Sequence, residues 1–266
     1  MAGSRGGSGD RPGKRAGCRE IAAWADDFLR VAEVEDYPFA LNGLQVDGCR
    51  PVARIGAATD ACLATIDLAT EAGCDLLLVH HGLFWGGVRP LVGPSYERFR
   101  RLFASGMGVY SAHLPLDAHP GIGNNVLLAA ELGLRESEPF GSFRGNDGIG
   151  VIGALDASRG ELADRAEAVC GRAPIVIAGG PERVSRLAIV TGGAGSMIEA
   201  AAMAGADTFL TGEGNHHTYH EAMELGINVI YAGHYGTETL GVRALAKLAA
   251  EHFGAVHTFF DVPTGL

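Results

Sequence analysis

Two histidines close an apolar run at Val79-His80-His81-Gly82, and far along the chain Gly233-His234-Tyr235-Gly236-Thr237-Glu238 sets a third imidazole four residues before a carboxylate. Asp117 follows another strand-like run, Gly108-Val109-Tyr110-Ser111-Ala112. Nitrogen and oxygen ligands without thiolate suit Zn, Fe, Mn, Co or Ni, and do not choose among them. Adjacent residues of an extended chain point to opposite sides, so His80 and His81 suit two neighbouring ions better than one. Two divalent ions roughly 3.5–4 Å apart generate a nucleophilic hydroxide and stabilise a leaving oxygen, and Glu238 could bridge them. The competing account has the His pair packing on backbone carbonyls and Asp117 serving as a turn acid before Pro120-Gly121. Five such side chains at matching strand ends favour the metal.

Other residues qualify as attendants of such a site. In Gly212-Glu213-Gly214-Asn215-His216-His217-Thr218-Tyr219-His220, Glu213 holds the place that His81 holds earlier, which suits a general acid/base or water-positioning group. His220, on the following helix, could meet a substrate. His113, four residues before Asp117, could orient a ligand from behind or simply serve a turn. Asn42 and Gln45, in Asn42-Gly43-Leu44-Gln45-Val46-Asp47-Gly48, could hydrogen bond a polar ligand at the cleft rim or belong to a hairpin turn. Trp85 could be a lid or a stacking platform for a base, or cover the core. The chain has no G-x-x-x-x-G-K-[ST] loop, so a triphosphate would fall to scattered basic residues such as Arg89, Arg98 and Arg101, or to helix N-termini.

The elements that must position these groups repeat. Arg54–Thr59 aligns without a gap on Arg186–Thr191, and Ile66, Ala69, Ala72, Gly73, Asp75, Leu78 and Gly82 fall on Ile198, Ala201, Ala204, Gly205, Asp207, Leu210 and Gly214. Each half reads as strand, alanine-rich helix, a short apolar strand covered on both faces, helix, and third strand. The expected fold is α/β, with two pseudo-repeated, interleaved α/β domains and the metal cleft between them, because ligands gather beyond the carboxyl ends of strands. A capping box at Ser158-Arg159-Gly160-Glu161 opens a helix, Thr239 to Phe253 is another stopped by Gly254, and a strand from Ala255 to Val262 returns to the first sheet. The implied organisation is a disordered tail over 1–17, a first domain of 18–130 plus about 250–266, and a second of about 131–249.

At 266 residues and 47% hydrophobic, the chain can bury a full core. A formal charge of −10 argues against a grip on long nucleic acid or anionic lipid. No apolar run approaches the roughly 20 residues of a membrane span. The five cysteines show no C-x-x-C spacing, which suits a reducing, cytoplasmic setting.

The stretches VHHGLFW, SAHLPLDAHPGIGNN, TGEGNHHTYHEA and AGHYGTETLGVRAL, with NGLQVDG before them, together resemble the dinuclear-metal proteins labelled GTP cyclohydrolase 1 type 2 homologue, also called NIF-three-like. The resemblance covers about Ile21 to Pro263 and points to the short type without a third domain. It implies that His81 and Asp117 bind one metal, His80 and His234 the other, and Glu238 both. It also implies intertwined domains and a ring-shaped homohexamer. The activity expected is that of a metal-dependent hydrolase acting on a small molecule such as a nucleotide, with ring opening of GTP and loss of formate as one version. A metal store or chaperone without turnover, and a metal-dependent phosphoesterase, are the alternatives.

Overall fold

The computed structural model describes residues 15–266. Its strands are β1 (Gly43–Val46), β2 (Arg54–Asp60), β3 (Leu76–His81), β4 (Gly108–Ser111), β5 (Arg135–Phe143), β6 (Asn146–Ser158), β7 (Ile175–Ala178), β8 (Arg183–Ile189), β9 (Thr208–Thr211), β10 (Asn228–Tyr231) and β11 (Val256–Phe259). They form two sheets, ordered β1-β4-β3-β2-β11 and β5-β6-β8-β9-β10-β7. The middle strands β3, β9 and β10 are buried almost throughout, as parallel strands between two helical layers must be.

The repeat is visible in register. Ile55 pairs with Leu76 and Ala57 with Leu78 in the first sheet, while Leu187 pairs with Thr208 and Ile189 with Leu210 in the second. One aspartate in each half anchors that register. Asp75 Oδ2 accepts from the backbone N–H groups of Ala53 and Arg54 at 2.9 and 3.2 Å, and Asp207 Oδ2 accepts from Ser185 and Arg186 at 2.8 and 3.1 Å. Both sheets also carry an equivalent antiparallel edge strand, β1 against β4 and β7 against β10. Two pseudo-repeated α/β domains are thus present.

Their interleaving comes from two crossing helices. The helix Asn124–Leu132 leaves the first sheet and buries Leu128, Ala129 and Leu132 against Leu187, Ile189, Leu210 and Ile230 of the second. The helix Thr239–Phe253 returns the exchange, burying Val242, Leu245, Ala246 and Ala249 against Ile55, Ala57, Leu76 and Leu78. β11 then pairs in parallel with β2. The chain therefore changes lobes near 124 and 238, before the boundaries expected near 130 and 250. Each fully buried Leu or Ile side chain at these contacts stabilises by roughly 1.5–3 kcal/mol.

The disordered tail expected over 1–17 lies outside the described residues for 1–14. Of the remainder, Ala16 is buried and its carbonyl accepts from Val52 N–H at 2.8 Å. The helix Cys18–Leu29 follows and packs Ile21, Ala22 and Ala25 into the first lobe.

Candidate metal centre

All five expected ligands sit just beyond strand C-termini, where the two lobes face each other. His80 and His81 end β3. Asp117 closes a single helical turn, Leu114–Asp117, after β4, and the corresponding turn after β10, His234–Thr237, opens with His234 and delivers Glu238. Glu238 is 2% exposed, yet its two oxygens face different partners. Oε1 lies 3.6 Å from His80 Nε2, whereas Oε2 lies 3.4 Å from His81 Nε2 and 3.1 Å from His234 Nε2. Asp117 Oδ2 is 3.5 Å from His80 Nε2.

Two carboxylate-bearing triads result, His80–Asp117–Glu238 and His81–His234–Glu238, each with its ligand atoms within 4.8 Å of one another. The resemblance implied His81 with Asp117 and His80 with His234, whereas the groups that come together here set His80 with Asp117 and His81 with His234. Both Nε2 atoms converge on Glu238, while His80 Nδ1 rests on the Ala112 carbonyl after β4 and His81 Nδ1 on Asp60 at the end of β2.

What lies behind each imidazole decides its tautomer. His80 Nδ1 is 2.9 Å from the Ala112 carbonyl, His81 Nδ1 is 2.9 Å from Asp60 Oδ1, and His234 Nδ1 is 2.9 Å from Glu213 Oε1. These oxygens only accept, so each Nδ1 carries a hydrogen and each Nε2 is turned to the centre, where a metal would take its lone pair. There, His80 Nε2 and Glu238 Oε2 are buried without any hydrogen-bond partner. Orphaned groups of this kind are costly unless something else satisfies them, and a cation fits both.

The electrostatics agree. Burial opposes a charge on His80, but Asp117 and Glu238 outweigh it and hold its pKa well above the usual imidazole value. Burial opposes charge on His234 too, and Glu238 with Glu213 raises it to about 9. Burial would raise Glu238, yet His81, His80 and His234 hold it well below the ordinary carboxylate range.

A cavity of about 580 Å³ opens over the cluster, walled on one side by Tyr37, Trp85 and Phe143 and on the other by Ile149, Val190 and Met197. The family described as Duf34/NIF3 (NGG1p interacting factor 3) matches residues 16–264. The chain belongs to the Duf34/NIF3 family. Among its relatives, a GTP cyclohydrolase 1 type 2 homolog of Deinococcus radiodurans is 45% identical over 250 residues, 93% of this chain and 94% of the relative. One of the same name from Pyrococcus abyssi is 43% identical over 251 residues, 93% of this chain and 98% of the relative. The crystal structure of TTHA1606 from Thermus thermophilus superposes with a TM-score of 0.84 at 43% identity, covering 93% of this chain and 98% of that one.

In this Duf34/NIF3 chain the other sequence candidates divide. Trp85 lines the cavity. Glu213 is committed to orienting His234 rather than standing free as an acid or base. Asn42 bonds Asp36 through Nδ2 and accepts from His113 N–H, and Gln45 bonds the Ala40 and Leu41 carbonyls and accepts from Leu83 N–H. Both are occupied by protein groups and neither lines the cavity. His220 is exposed, with its ring beside His216 and Tyr219, away from the cluster. Arg89, Arg98 and Arg101 do not line the cavity; Arg101 pairs with Asp67 and Glu97.

His113 faces the centre rather than standing behind a ligand. Its ring lies 5.0 Å from His80 and 5.7 Å from His81, while Nδ1 is held 2.9 Å from Asp36 Oδ1. The sequence reading missed Asp36, Asp60 and Asn124. Asn124 Nδ2 donates to Asp117 Oδ1 at 2.8 Å and its Oδ1 accepts from Gly241 N–H at 2.7 Å, so it ties the ligand to the crossing helix. Asn124 lies in the SAHLPLDAHPGIGNN stretch, whereas Asp60 is revealed by its strand register with His81.

Proposed function

We propose that this protein holds two divalent metal ions and is a metal-dependent hydrolase. The observation that carries the reading is the set of three imidazole Nε2 atoms, each aimed by an acceptor behind it, around a buried Glu238 whose oxygens serve two different triads. When bound, such a pair supplies water activation and stabilises the leaving atom.

The chain's own groups supply the rest. His80, Asp117 and Glu238 would hold one ion, and His81, His234 and Glu238 the other. Asp60, Glu213 and the Ala112 carbonyl hold a hydrogen on each Nδ1 and keep the Nε2 atoms aligned on the centre. His113 forms a further group with His80 and His81, ligand atoms within 4.8 Å of one another, and we propose it as a proton-transfer group at the edge of the centre, with Asp36 fixing the ring. Apolar side chains wall much of the open cavity above the reacting centre.

The relatives' name supports ring-opening hydrolysis of a purine nucleotide, in which C8 of GTP leaves as formate. The test is elemental analysis of purified protein, followed by formate release from GTP and a screen of phosphate esters. Two ions per chain and turnover lost in a folded His81→Ala variant would support the reading. Tightly held metal with no turnover of any substrate would leave a metal-binding assembly in its place. From the resemblance we also infer a homohexamer, for which the exposed Val88, Leu91, Val92, Tyr96 and Phe103 offer an apolar surface for self-association, and which light scattering in solution would check. Among the described residues no helix is long and apolar enough to cross a membrane.

A further inference from the structure

The cavity has aromatic walls and an ion-holding floor, but no Lys or Arg is among its lining residues. Asp36, Asp60, Asp117, Glu213 and Glu238 surround that floor, so even two divalent cations leave no surplus positive charge for a chain of phosphates. Tyr37, Trp85 and Phe143 instead offer an inclined aromatic wall, Tyr37 and Trp85 centroids 5.8 Å apart at 63° and Tyr37 and Phe143 5.5 Å apart at 47°, on which a planar ring can face one member and meet another edge-on. Trp85 also reaches the cluster itself, edge-on to His113 at 4.7 Å and to His81 at 5.7 Å. A ring lying against these faces would have its edge over the ions.

One cation stands at the rim. The Arg144 guanidinium lies 4.5 Å from the Tyr37 centroid and 5.7 Å from that of Phe143, and among the described residues it has no carboxylate or hydrogen-bond partner. It is not there by accident of a loose loop. Arg144 and Gly145 take left-handed conformations, φ 50° and 79°, at the tip of the β5–β6 hairpin. Asn146 clamps that tip to the other lobe, donating to the Glu35 carbonyl at 2.7 Å and accepting from Glu35 N–H at 3.0 Å. The two-residue loop between paired Phe143 and Asn146 requires positive φ at both positions, and that fixed turn sets the Arg144 guanidinium over the aromatic wall.

We propose that this site takes a planar aromatic heterocycle bearing one anionic group, with the ring against Trp85 and Tyr37 and the anion on Arg144. The proposal rests on the hydrolase reading only in putting the reacting ring beside the ions; recognition itself is independent of turnover. A free guanidinium grips one phosphate or carboxylate bidentately, and nothing deeper in the cavity waits for a second.

The test is calorimetric titration of the purified protein, its metal content measured, with guanosine, GMP and GTP. GMP should bind about tenfold more tightly than guanosine, and GTP no more tightly than GMP. Arg144→Gln should erase the GMP advantage while leaving guanosine unchanged, and Arg144→Lys should restore part of it. Trp85→Ala, or Tyr37→Leu if the former misfolds, should weaken all three by about tenfold or more. Equal binding of guanosine and GMP, an advantage that survives Arg144→Gln, GTP exceeding GMP by tenfold, or no binding of any probe would each overturn the proposal. Arg144-dependent binding without formate release would instead leave this inference standing and remove the hydrolase.

Discussion

At the scale of single residues, the centre depends on Glu238 serving both triads. Glu238→Gln is expected to cost both ions, whereas Asp117→Ala should leave the His81–His234–Glu238 ion in place, as counted by elemental analysis after gel filtration. The grouping of His80 with Asp117 has a sharper consequence in double variants. Asp117→Ala with His80→Ala damages one triad and should retain one ion per chain, while Asp117→Ala with His81→Ala damages both and should retain none. The reverse pattern would restore the pairing His81 with Asp117. Asn124 acts one step further out: it satisfies Asp117 and the Gly241 N–H together, and both are buried. Asn124→Ala is expected to cost about 1–3 kcal/mol in denaturant unfolding and about 10–100-fold in metal affinity.

At the scale of elements, the strand ends set how closely the lobes approach. Gly192 follows β8 with φ 70°, and a Cβ there would collide with Glu238 Oε1. Gly205 provides the control, since its φ is 81° but a Cβ would meet nothing within 4 Å. Gly205→Ala should lose about 1 kcal/mol of stability and keep its metal, because only backbone strain is added. Gly192→Ala should lose the metal as well, read by elemental analysis alongside the unfolding curve. Much of this level was legible beforehand. The parallel strands, the capped helix from Ser158 and the ligand positions announce themselves through apolar runs ending in histidine or glycine. The ligand pairing did not, because Asp117 and Glu238 arrive on helical turns whose orientation spacing cannot specify. Asn42 and Gln45 look like free polar groups in sequence, and only folded contacts show them spent on Asp36, His113 and Leu83. β5 escaped notice because its residues are largely exposed, without an apolar alternation and with Pro139 and Gly141 inside it.

At the scale of the whole molecule, the exchange of helices makes the lobes mutually dependent. Leu128 comes from the first half of the chain but is fully buried in the second lobe, and Leu245 comes from the second half but is buried in the first. Neither sheet can keep its covering layer if the other half unfolds. The expected result is one calorimetric transition for both lobes in the presence of chelator. Leu128→Ala and Leu245→Ala should each cost about 2–5 kcal/mol from lost burial and the cavity left behind. For a chain of this size, that lowers the single midpoint by about 5–15 °C in either variant. Domains that merely followed one another would behave differently, showing two resolvable transitions with each substitution moving only one. Such a result would mean that the crossing helices decorate the lobes without coupling them, and that the metal cluster between them is held by local contacts alone.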